Sequence, residues 1–240
     1  MRIIRADNIK KKYGNINVLN GIDLEIHEGE FVGIMGKSGS GKTTLLKILG
    51  MIEPATDGMI YYGEEKVHKL SDRELSRIRR EELGFVFQEF FLMESMNVFE
   101  NILLPLYISK TIDQNRKRKA KELMEMFQIS ELEAKMPNEL SGGERQRTAI
   151  CRALINNPNI ILADEPTGNL DSKSGRIVIE SFKKINLELK KTIIMVTHDP
   201  QMASYCERVM LMKDGKIIKQ LKRTEEKDFY KTVIESMVEL

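Results

Sequence analysis

The spacing of hydrophobic residues changes along the chain and predicts both strands and helices. Near the N-terminus Ile22, Leu24 and Ile26 alternate with polar residues, which is typical of a strand with one buried face. Short runs such as "NIILAD" and "TIIMVT" are apolar almost throughout and indicate strands buried on both faces. Apolar residues at helical spacing lie between such runs. This alternation predicts an α/β fold, with a largely parallel sheet covered by helices on both faces.

The ends of the predicted helices follow from capping residues as well as from periodicity. Ser71 and Glu74 form a capping-box pattern at the start of a charged segment, and Gly50 ends the helix that begins at Lys42. Asp214 and Gly215 predict the turn of a hairpin over 208–220. The predicted helices cover residues 42–49, 71–82, 98–108, 113–128, 140–156, 172–190 and 224–240.

A run of helical patterns interrupts the α/β alternation between about residues 90 and 157. The α/β pattern returns after Pro158 with another buried strand. We therefore expect one domain over residues 1–240, in which residues 1–89 and 158–240 form the core and residues 90–157 form an inserted helical subdomain.

Composition excludes some classes of protein. The 240 residues are 41% hydrophobic and 31% charged, which is enough to build a core. The net charge of +2 argues neither for nor against a nucleic-acid partner. No apolar run approaches the ~20 residues of a membrane span, and the first residues do not form a secretory signal. Cys151 and Cys206 are isolated from each other and from other metal ligands. They are typical of reduced, buried thiols in a cytoplasmic protein.

The strongest chemical motif is "GKSGSGKT" at residues 36–43, between a predicted strand and a predicted helix. Its spacing fits a phosphate-binding loop, whose glycines let backbone N–H groups surround a phosphate. Lys42 would reach the β- and γ-phosphate oxygens, and Thr43 would ligate Mg²⁺. A simple glycine-rich turn does not require this lysine and threonine. The phosphate-binding residues are predicted to be Gly36, Ser38, Gly39, Ser40, Gly41, Lys42, Thr43 and Thr44.

Two carboxylates follow the buried strand "IILAD". The carboxyl ends of parallel strands form the ligand edge of an open α/β sheet. Asp164 is therefore a candidate Mg²⁺ partner, and Glu165 a candidate to orient or deprotonate an attacking water. A solvated acidic pair is the alternative interpretation.

Three further residues are weaker candidates. His198 follows the strand "TIIMVT", so it would reach the same edge near a γ-phosphate, although such a histidine is often a turn residue. Gln88 ends "LGFVFQ", and its amide would contact Mg²⁺ and the attacking water. Tyr13 precedes Gly14, and its ring would stack on a base or simply lie on the surface.

A second anion site is predicted at "LSGGE", residues 140–144, where Ser141, Gly142 and Gly143 open a helix. The N–H groups at a helix N-terminus favour an anion. The chain therefore carries two predicted phosphate sites about a hundred residues apart.

These motifs together resemble the ATP-binding cassette (ABC) family over nearly the whole chain. Their order matches: Tyr13, the phosphate loop (Walker A), Gln88, the signature loop at 140–144, Asp164 with Glu165, the D-loop "GNLD" at 168–171, and His198. The resemblance implies a P-loop NTPase core with a mainly parallel sheet, an N-terminal antiparallel β subdomain and an inserted helical subdomain. It implies ATP and Mg²⁺ as cofactors.

The resemblance also explains the two phosphate sites. In this family two cassettes pair head to tail, and each ATP lies between one Walker A loop and the partner's signature loop. Ser141, Gly142 and Gly143 would then bind the γ-phosphate of the second copy, and Asp171 would lie near the dimer axis. Lys42, Gln88, Glu165 and His198 would act in hydrolysis.

Finer features resemble a branch that includes lipoprotein-release, macrolide-export, cell-division and bacitracin-type peptide systems. "ADEPTGNLDS" and "LGFVFQ" carry this likeness, whereas residues 93–96 depart from it. The branch implies a separate integral-membrane permease, no nucleic acid, and a cytoplasmic location on the inner face of the membrane. The alternative is a soluble ABC ATPase of DNA repair or translation, but such proteins carry coiled-coil insertions or two cassettes. The transported substrate stays open at this stage.

Overall fold

The computed structural model describes residues 1–224 and 228–240. Its strands are β1 (Arg2–Tyr13), β2 (Ile16–His27), β3 (Phe31–Met35), β4 (Asp57–Tyr62), β5 (Glu65–Lys66), β6 (Leu83–Phe87), β7 (Ile160–Asp164), β8 (Thr192–Thr197), β9 (Arg208–Lys213) and β10 (Lys216–Lys222). Its helices are α1 (Lys42–Leu49), α2 (Asp72–Glu81), α3 (Val98–Ser109), α4 (Gln114–Met126), α5 (Gly142–Leu154), α6 (Ser172–Leu187), α7 (Pro200–Ala203) and α8 (Phe229–Ser236).

The described strands form two sheets. Within the described residues the larger sheet has six strands in the order β10-β9-β3-β8-β7-β6. Neighbours in it pair in parallel, except that β10 pairs antiparallel with β9. The smaller sheet has the order β2-β1-β4-β5 and is antiparallel. The predicted α/β fold, with a mainly parallel sheet and an antiparallel N-terminal sheet, is confirmed.

Both faces of the larger sheet are buried, as the continuous apolar strands predicted. Successive residues of a strand point to opposite faces. Accordingly Phe31 and Met35 of β3 pack into one hydrophobic cluster with α3, α4, α5 and α6, whereas Val32 and Ile34 pack into another with α1 and the smaller sheet. The helices between β6 and β7 therefore share their core with one face of the sheet.

Several helices are shorter than the sequence pattern predicted. The segment predicted over 140–156 begins at Gly142, because Ser141 is its N-cap, and the segment predicted over 172–190 ends at Leu187. Of the helix predicted over 224–240, α8 covers Phe229–Ser236 with Asp228 as N-cap. The part of that prediction at residues 225–227 lies outside the described residues.

In the part of the chain that the structure describes, no helix has the length and apolar character needed to cross a membrane. Cys151 and Cys206 are buried and not joined in a disulfide. Burial raises the pKa of both thiols well above the ordinary range.

Candidate active site

The phosphate loop connects β3 to α1 in a conformation that requires glycine. Gly39 and Gly41 have φ angles of 80° and 98°, which favour a residue without a Cβ. A Cβ on Gly36 would lie 2.2 Å from the backbone oxygen of Met212. Gly41 is the N-cap of α1, and within the described chain no side chain caps it. The first N–H groups of α1 are therefore available to an anion.

Two polar groups of the loop are buried with few partners. The Lys42 ammonium donates a hydrogen bond to the Lys37 carbonyl at 2.9 Å, and the residue is only 5% exposed. Burial lowers the pKa of Lys42, while Glu165 and Asp164 act in the opposite direction. The Ser40 hydroxyl is buried and has no hydrogen-bond partner among the described residues. A buried donor without a partner, beside a buried ammonium, fits a phosphate, because phosphate oxygens accept hydrogen bonds.

The sheet register brings four chain segments to one edge. Met35 pairs with Thr197, Phe87 pairs with Asp164, and Asp164 pairs with Val196. The residues that follow these strand ends begin the phosphate loop or include His198, Glu165 and Gln88. This edge is the one at which open α/β sheets bind ligands.

Asp164 and Thr43 are in direct contact. The Thr43 hydroxyl donates to Asp164 Oδ1 at 2.9 Å. Burial is the largest influence on Asp164 and raises its pKa, and the hydrogen bond from Thr43 opposes this. Mg²⁺ prefers oxygen ligands, and this edge offers the Thr43 hydroxyl, the Asp164 carboxylate and the amide oxygen of Gln88. The residues present thus fit the predicted metal.

Glu165 and His198 form a second contact at this edge. His198 Nδ1 and Glu165 Oε2 lie 2.5 Å apart. The Glu165 carboxylate is 19% exposed and the His198 ring 64% exposed. Glu165 has a φ of 46°, unusual for a residue with a Cβ, and its N–H donates to the Val196 carbonyl at 2.9 Å. Such strained backbone is common at functional sites.

A cavity of about 480 Å³ lies at this edge. Of the predicted site residues, it is lined by Gly36, Ser38, Gln88, Glu165 and His198, whereas Lys42, Thr43 and Asp164 are not part of its described lining. Two residues near the C-terminus, Met237 and Leu240, were not predicted to be there. The lining residues are Met35, Gly36, Lys37, Ser38, Gln88, Glu165, His198, Met237 and Leu240.

Tyr13 lies apart from this cavity, at the end of β1. Its phenol donates a short hydrogen bond to Glu53, which raises the pKa of Tyr13. The Lys11 ammonium lies 4.8 Å from the centre of the ring, and the Thr44 hydroxyl is a further neighbour of the phenol. Tyr13 is thus beside the start of α1, with a cation over its ring.

The signature loop forms a helix cap. Ser141 and Glu144 make a capping box at the start of α5: the Ser141 N–H donates to Glu144 Oε2 at 2.7 Å, and the Glu144 N–H donates to Ser141 Oγ at 3.4 Å. This contact lowers the pKa of Glu144. The groups nearest to a Cβ built on Gly142 or Gly143 belong to Leu170, Asn169, Phe90, Ser174 and Arg147, none of which lies in the phosphate loop. Within the described residues, the structure therefore does not bring the two predicted phosphate sites together in one chain.

Asp171 is also a helix cap in the isolated chain. Its Oδ1 accepts hydrogen bonds from the N–H groups of Lys173 and Ser174 at 3.0 Å, and its Oδ2 accepts from the Ser174 hydroxyl at 2.6 Å. These hydrogen bonds lower the pKa of Asp171. The carboxylate that was predicted near a dimer axis thus fixes the start of α6, directly after the D-loop.

Two residues near the site were not singled out from the sequence. Asn169, in the D-loop, accepts a hydrogen bond from Gln88 Nε2 at 2.9 Å. Gln146, on α5, donates to the carbonyls of Pro166 and Phe87 at 2.7 and 3.3 Å. The only signals in the sequence were that Asn169 lies within "GNLD" and that Gln146 lies two residues after "LSGGE". Neither position predicts these long-range contacts.

Comparison with known proteins agrees with this fold. The family model described as ABC transporter matches residues 19–168, and the chain belongs to this family. The bacitracin export ATP-binding protein BceA of Halalkalibacterium halodurans is 46% identical over 98% of this chain and 96% of its own length. The macrolide export ATP-binding/permease protein MacB of Campylobacter jejuni is 44% identical over 98% of this chain, which spans 36% of MacB.

A solved structure of an ATP-binding cassette has the same fold. The ATP-binding cassette MJ0796, solved as a dimer in a post-hydrolysis state bound to ADP and Pi, superposes with a TM-score of 0.84. It is 42% identical over 92% of this chain and 100% of its own chain. The molecule described here is accordingly an ATP-binding cassette with ATPase activity.

Proposed function

We propose that two copies of this chain bind two ATP molecules head to tail and that hydrolysis drives a membrane permease on another chain. One observation carries the proposal: the two phosphate sites of a single chain do not meet. Gly36, Lys37 and Ser38 of the phosphate loop line the cavity, whereas the start of α5 is not part of its described lining. A second copy can supply its own signature loop to the exposed side of the cavity. The dimeric state of the MJ0796 cassette supports this arrangement.

The proposed roles follow from the contacts of each group. Residues 36–44 hold the phosphates, with Lys42 as the charged contact, and Tyr13 stacks on the base. Thr43, Asp164 and Gln88 hold Mg²⁺, which neutralises charge on the phosphates when it is bound. Glu165 takes the proton of the attacking water, and His198, 2.5 Å from it, orients the carboxylate.

An exposed groove supports docking of the permease. The aromatic groove, about 650 Å³, lies between the edge strand β6 and α3, and its apolar residues include Phe85, Phe87, Phe91, Pro105 and Ile108. Ile108 is 73% exposed and Phe91 is 60% exposed. Contiguous exposed apolar surface of this kind is typical of a protein–protein interface.

The aromatic groove also carries positive charge and adjoins the active site. Arg79, Arg80 and Arg152 line it, so it suits a short helix with apolar and acidic residues. Arg152 donates to the carbonyl of Phe90 at 2.6 Å, which fastens the loop after β6. Phe87 lines the groove and directly precedes Gln88 in the cavity. We infer that a cytoplasmic helix of the permease occupies this groove, which would hold the cassette at the inner face of the membrane.

The names of the relatives guide the proposal for the substrate. BceA is named for bacitracin export and MacB for macrolide export. The BceA likeness extends over nearly the whole of both chains, and MacB contains its permease within the same chain. We therefore propose export of, or resistance to, an antimicrobial peptide, with the permease encoded separately.

Ile108→Asp tests the docking proposal, because it places a charge on an exposed apolar residue of the aromatic groove. We expect recovery of the cassette with the permease encoded by the neighbouring gene to fall about tenfold or more, since an apolar contact that docking would bury is lost. The measurement is co-purification in detergent after co-expression. ATP binding by the isolated cassette should be unchanged.

Ile218→Asp is the matched control, because Ile218 is an exposed isoleucine of β10 outside the groove. It should leave co-purification intact. Equal recovery of the Ile108→Asp and wild-type cassettes would show that the groove does not bind the permease. Equal loss in both variants would show that surface charge, rather than the groove, governs recovery.

A further inference from the structure

The side chain of Gln88 is held by the D-loop through two amide groups. Gln88 Nε2 donates to Asn169 Oδ1 at 2.9 Å. Asn169 Nδ2 in turn donates to the backbone carbonyl of Gln88 at 3.2 Å and to Glu89 Oε1 at 3.3 Å. The two residues are 81 positions apart in the chain, and this pair of amides joins the end of β6 to the loop after β7.

The hydrogen-bond partners of Asn169 determine the orientation of both amide groups. A carbonyl and an ionised carboxylate only accept hydrogen bonds, so the NH₂ group of Asn169 must face the Gln88 carbonyl and Glu89. Asn169 Oδ1 is then the end that meets Gln88. Because an oxygen accepts, Gln88 must present its NH₂ group to it. Gln88 Oε1 is consequently the end of the amide that this contact leaves for other partners.

Close packing holds the Gln88 amide in this place. A Cβ on Gly168 would lie 2.8 Å from Gln88 Nε2 and 3.0 Å from Gln88 Cδ, so the amide lies directly against the D-loop backbone. Gln146, which is fully buried, ties the two loops together from α5 through the carbonyls of Phe87 and Pro166. The relative position of Gln88 and Asn169 is thus set on two sides.

We propose that Asn169 is a positioning residue that orients the amide of Gln88 so that its oxygen, not its nitrogen, is offered to the metal. The proposal rests on the role of Gln88 as a Mg²⁺ ligand in the proposed function. Oxygen ligates Mg²⁺ and an amide NH₂ does not, so a freely rotating Gln88 would lose part of its binding strength. Groups that orient a metal ligand commonly change metal affinity about 10–100-fold when they are removed.

Asn169→Ala tests the proposal because it removes the two hydrogen bonds with Gln88 and the one to Glu89, and leaves Gln88 itself in place. The readout is Mn²⁺ binding, measured by electron paramagnetic resonance, to the protein saturated with the β,γ-imido analogue of ATP, which is not hydrolysed. We expect the Mn²⁺ concentration at half-saturation to rise about tenfold. Affinity for the same nucleotide in the presence of EDTA should stay at the wild-type value, which also reports an intact fold.

Asn159→Ala is the matched control. Asn159 precedes β7, at the opposite end of the strand from Asp164, and its Nδ2 also donates to a carboxylate, that of Glu82, at 2.6 Å. It should not change Mn²⁺ binding. Asn169→Asp keeps the oxygen that accepts from Gln88 but places a second carboxylate beside Glu89. We expect its loss of Mn²⁺ affinity to lie between those of the wild type and Asn169→Ala.

Gln88→Ala separates the two claims. If Gln88 is a ligand and Asn169 acts through it, Gln88→Ala weakens Mn²⁺ binding, and adding Asn169→Ala to it has no further effect. Unchanged Mn²⁺ binding in Gln88→Ala would refute the metal role in the proposed function. Weakened binding in Gln88→Ala with wild-type binding in Asn169→Ala would refute the positioning role alone. Additive losses would also refute it, since Asn169 would then act independently of Gln88.

Discussion

Glu165→Gln should lower the rate of ATP hydrolysis about 10³-fold while ATP binding persists. A positioned general base contributes about 10²–10⁴-fold to such a rate. Glutamine has nearly the same shape, so the backbone bond from residue 165 to the Val196 carbonyl and the packing at the end of β7 should remain. Only the proton acceptor is lost. The rate is measured as phosphate release in a single turnover at saturating Mg²⁺ and ATP.

Glu180→Gln is a suitable control for this loss. Glu180 lies on the surface of α6 and pairs with Arg176, outside the cavity. It should hydrolyse ATP at the wild-type rate. Turnover by Glu165→Gln within about tenfold of wild type would assign the base to another group, because loss of a positioned base costs at least about 10²-fold.

Lys42→Ala should weaken ATP binding and remove most hydrolysis, with a combined loss of about 10²–10³-fold in kcat/KM. The ammonium is buried beside the phosphate loop, and its hydrogen-bond partner in this structure is the Lys37 carbonyl. A phosphate would supply a stronger, charge-assisted partner. Binding is measured by calorimetry with ATP, and hydrolysis by steady-state phosphate release.

Lys47→Ala distinguishes this effect from damage to α1. Lys47 lies on the same helix, but its side chain is exposed and pairs with Glu53. Both variants should unfold near the wild-type temperature, because removing the Lys42 ammonium also removes the cost of burying it. Strong ATP binding by Lys42→Ala would contradict the assignment of the phosphate loop.

The fold could be predicted largely from local patterns. The strands β3, β7 and β8 are continuous apolar runs, and Gly41 with Lys42 marks the start of α1 within a strand–loop–helix context. The rule that parallel strands bind ligands at their carboxyl ends then brought Gln88, Glu165 and His198 to one edge. Each of these predictions needed only neighbouring residues and a general rule of topology.

The contacts that the sequence did not predict all join distant segments. The amide pair of Gln88 and Asn169 depends on how two loops pack, and the lining of the cavity by Met237 and Leu240 depends on how the C-terminal segment returns to the sheet. Some helices were also predicted too long. The segment predicted over 113–128 is helical over Gln114–Met126, and Asp113, its N-cap, lies outside the helix itself.

Local structure alone does not identify the signature loop as a ligand site. Ser141 and Glu144 form a capping box, and so do Ser71 and Glu74 at the start of α2. In both boxes the glutamate N–H lies 3.4 Å from the serine hydroxyl. The two capping boxes are predicted to differ in function, because Gly142 and Gly143 follow Ser141 and leave space for a phosphate of the second copy. Since the two boxes are otherwise alike, Ser71 provides a closely matched control for Ser141.

The central claim is that the signature loop binds the ATP of a second copy, and size-exclusion chromatography of Glu165→Gln tests it most directly. With Mg²⁺ and ATP this variant should elute as a dimer, and with ADP as a monomer, because ATP that is not hydrolysed stabilises the closed pair. Adding Ser141→Arg should return it to a monomer that still binds ATP, since the long side chain fills the phosphate site. Adding Ser71→Arg instead removes an equivalent helix cap and should leave the ATP-dependent dimer intact. An unchanged ATP-dependent dimer with Ser141→Arg would show that Ser141, Gly142 and Gly143 only cap α5, and would contradict the account.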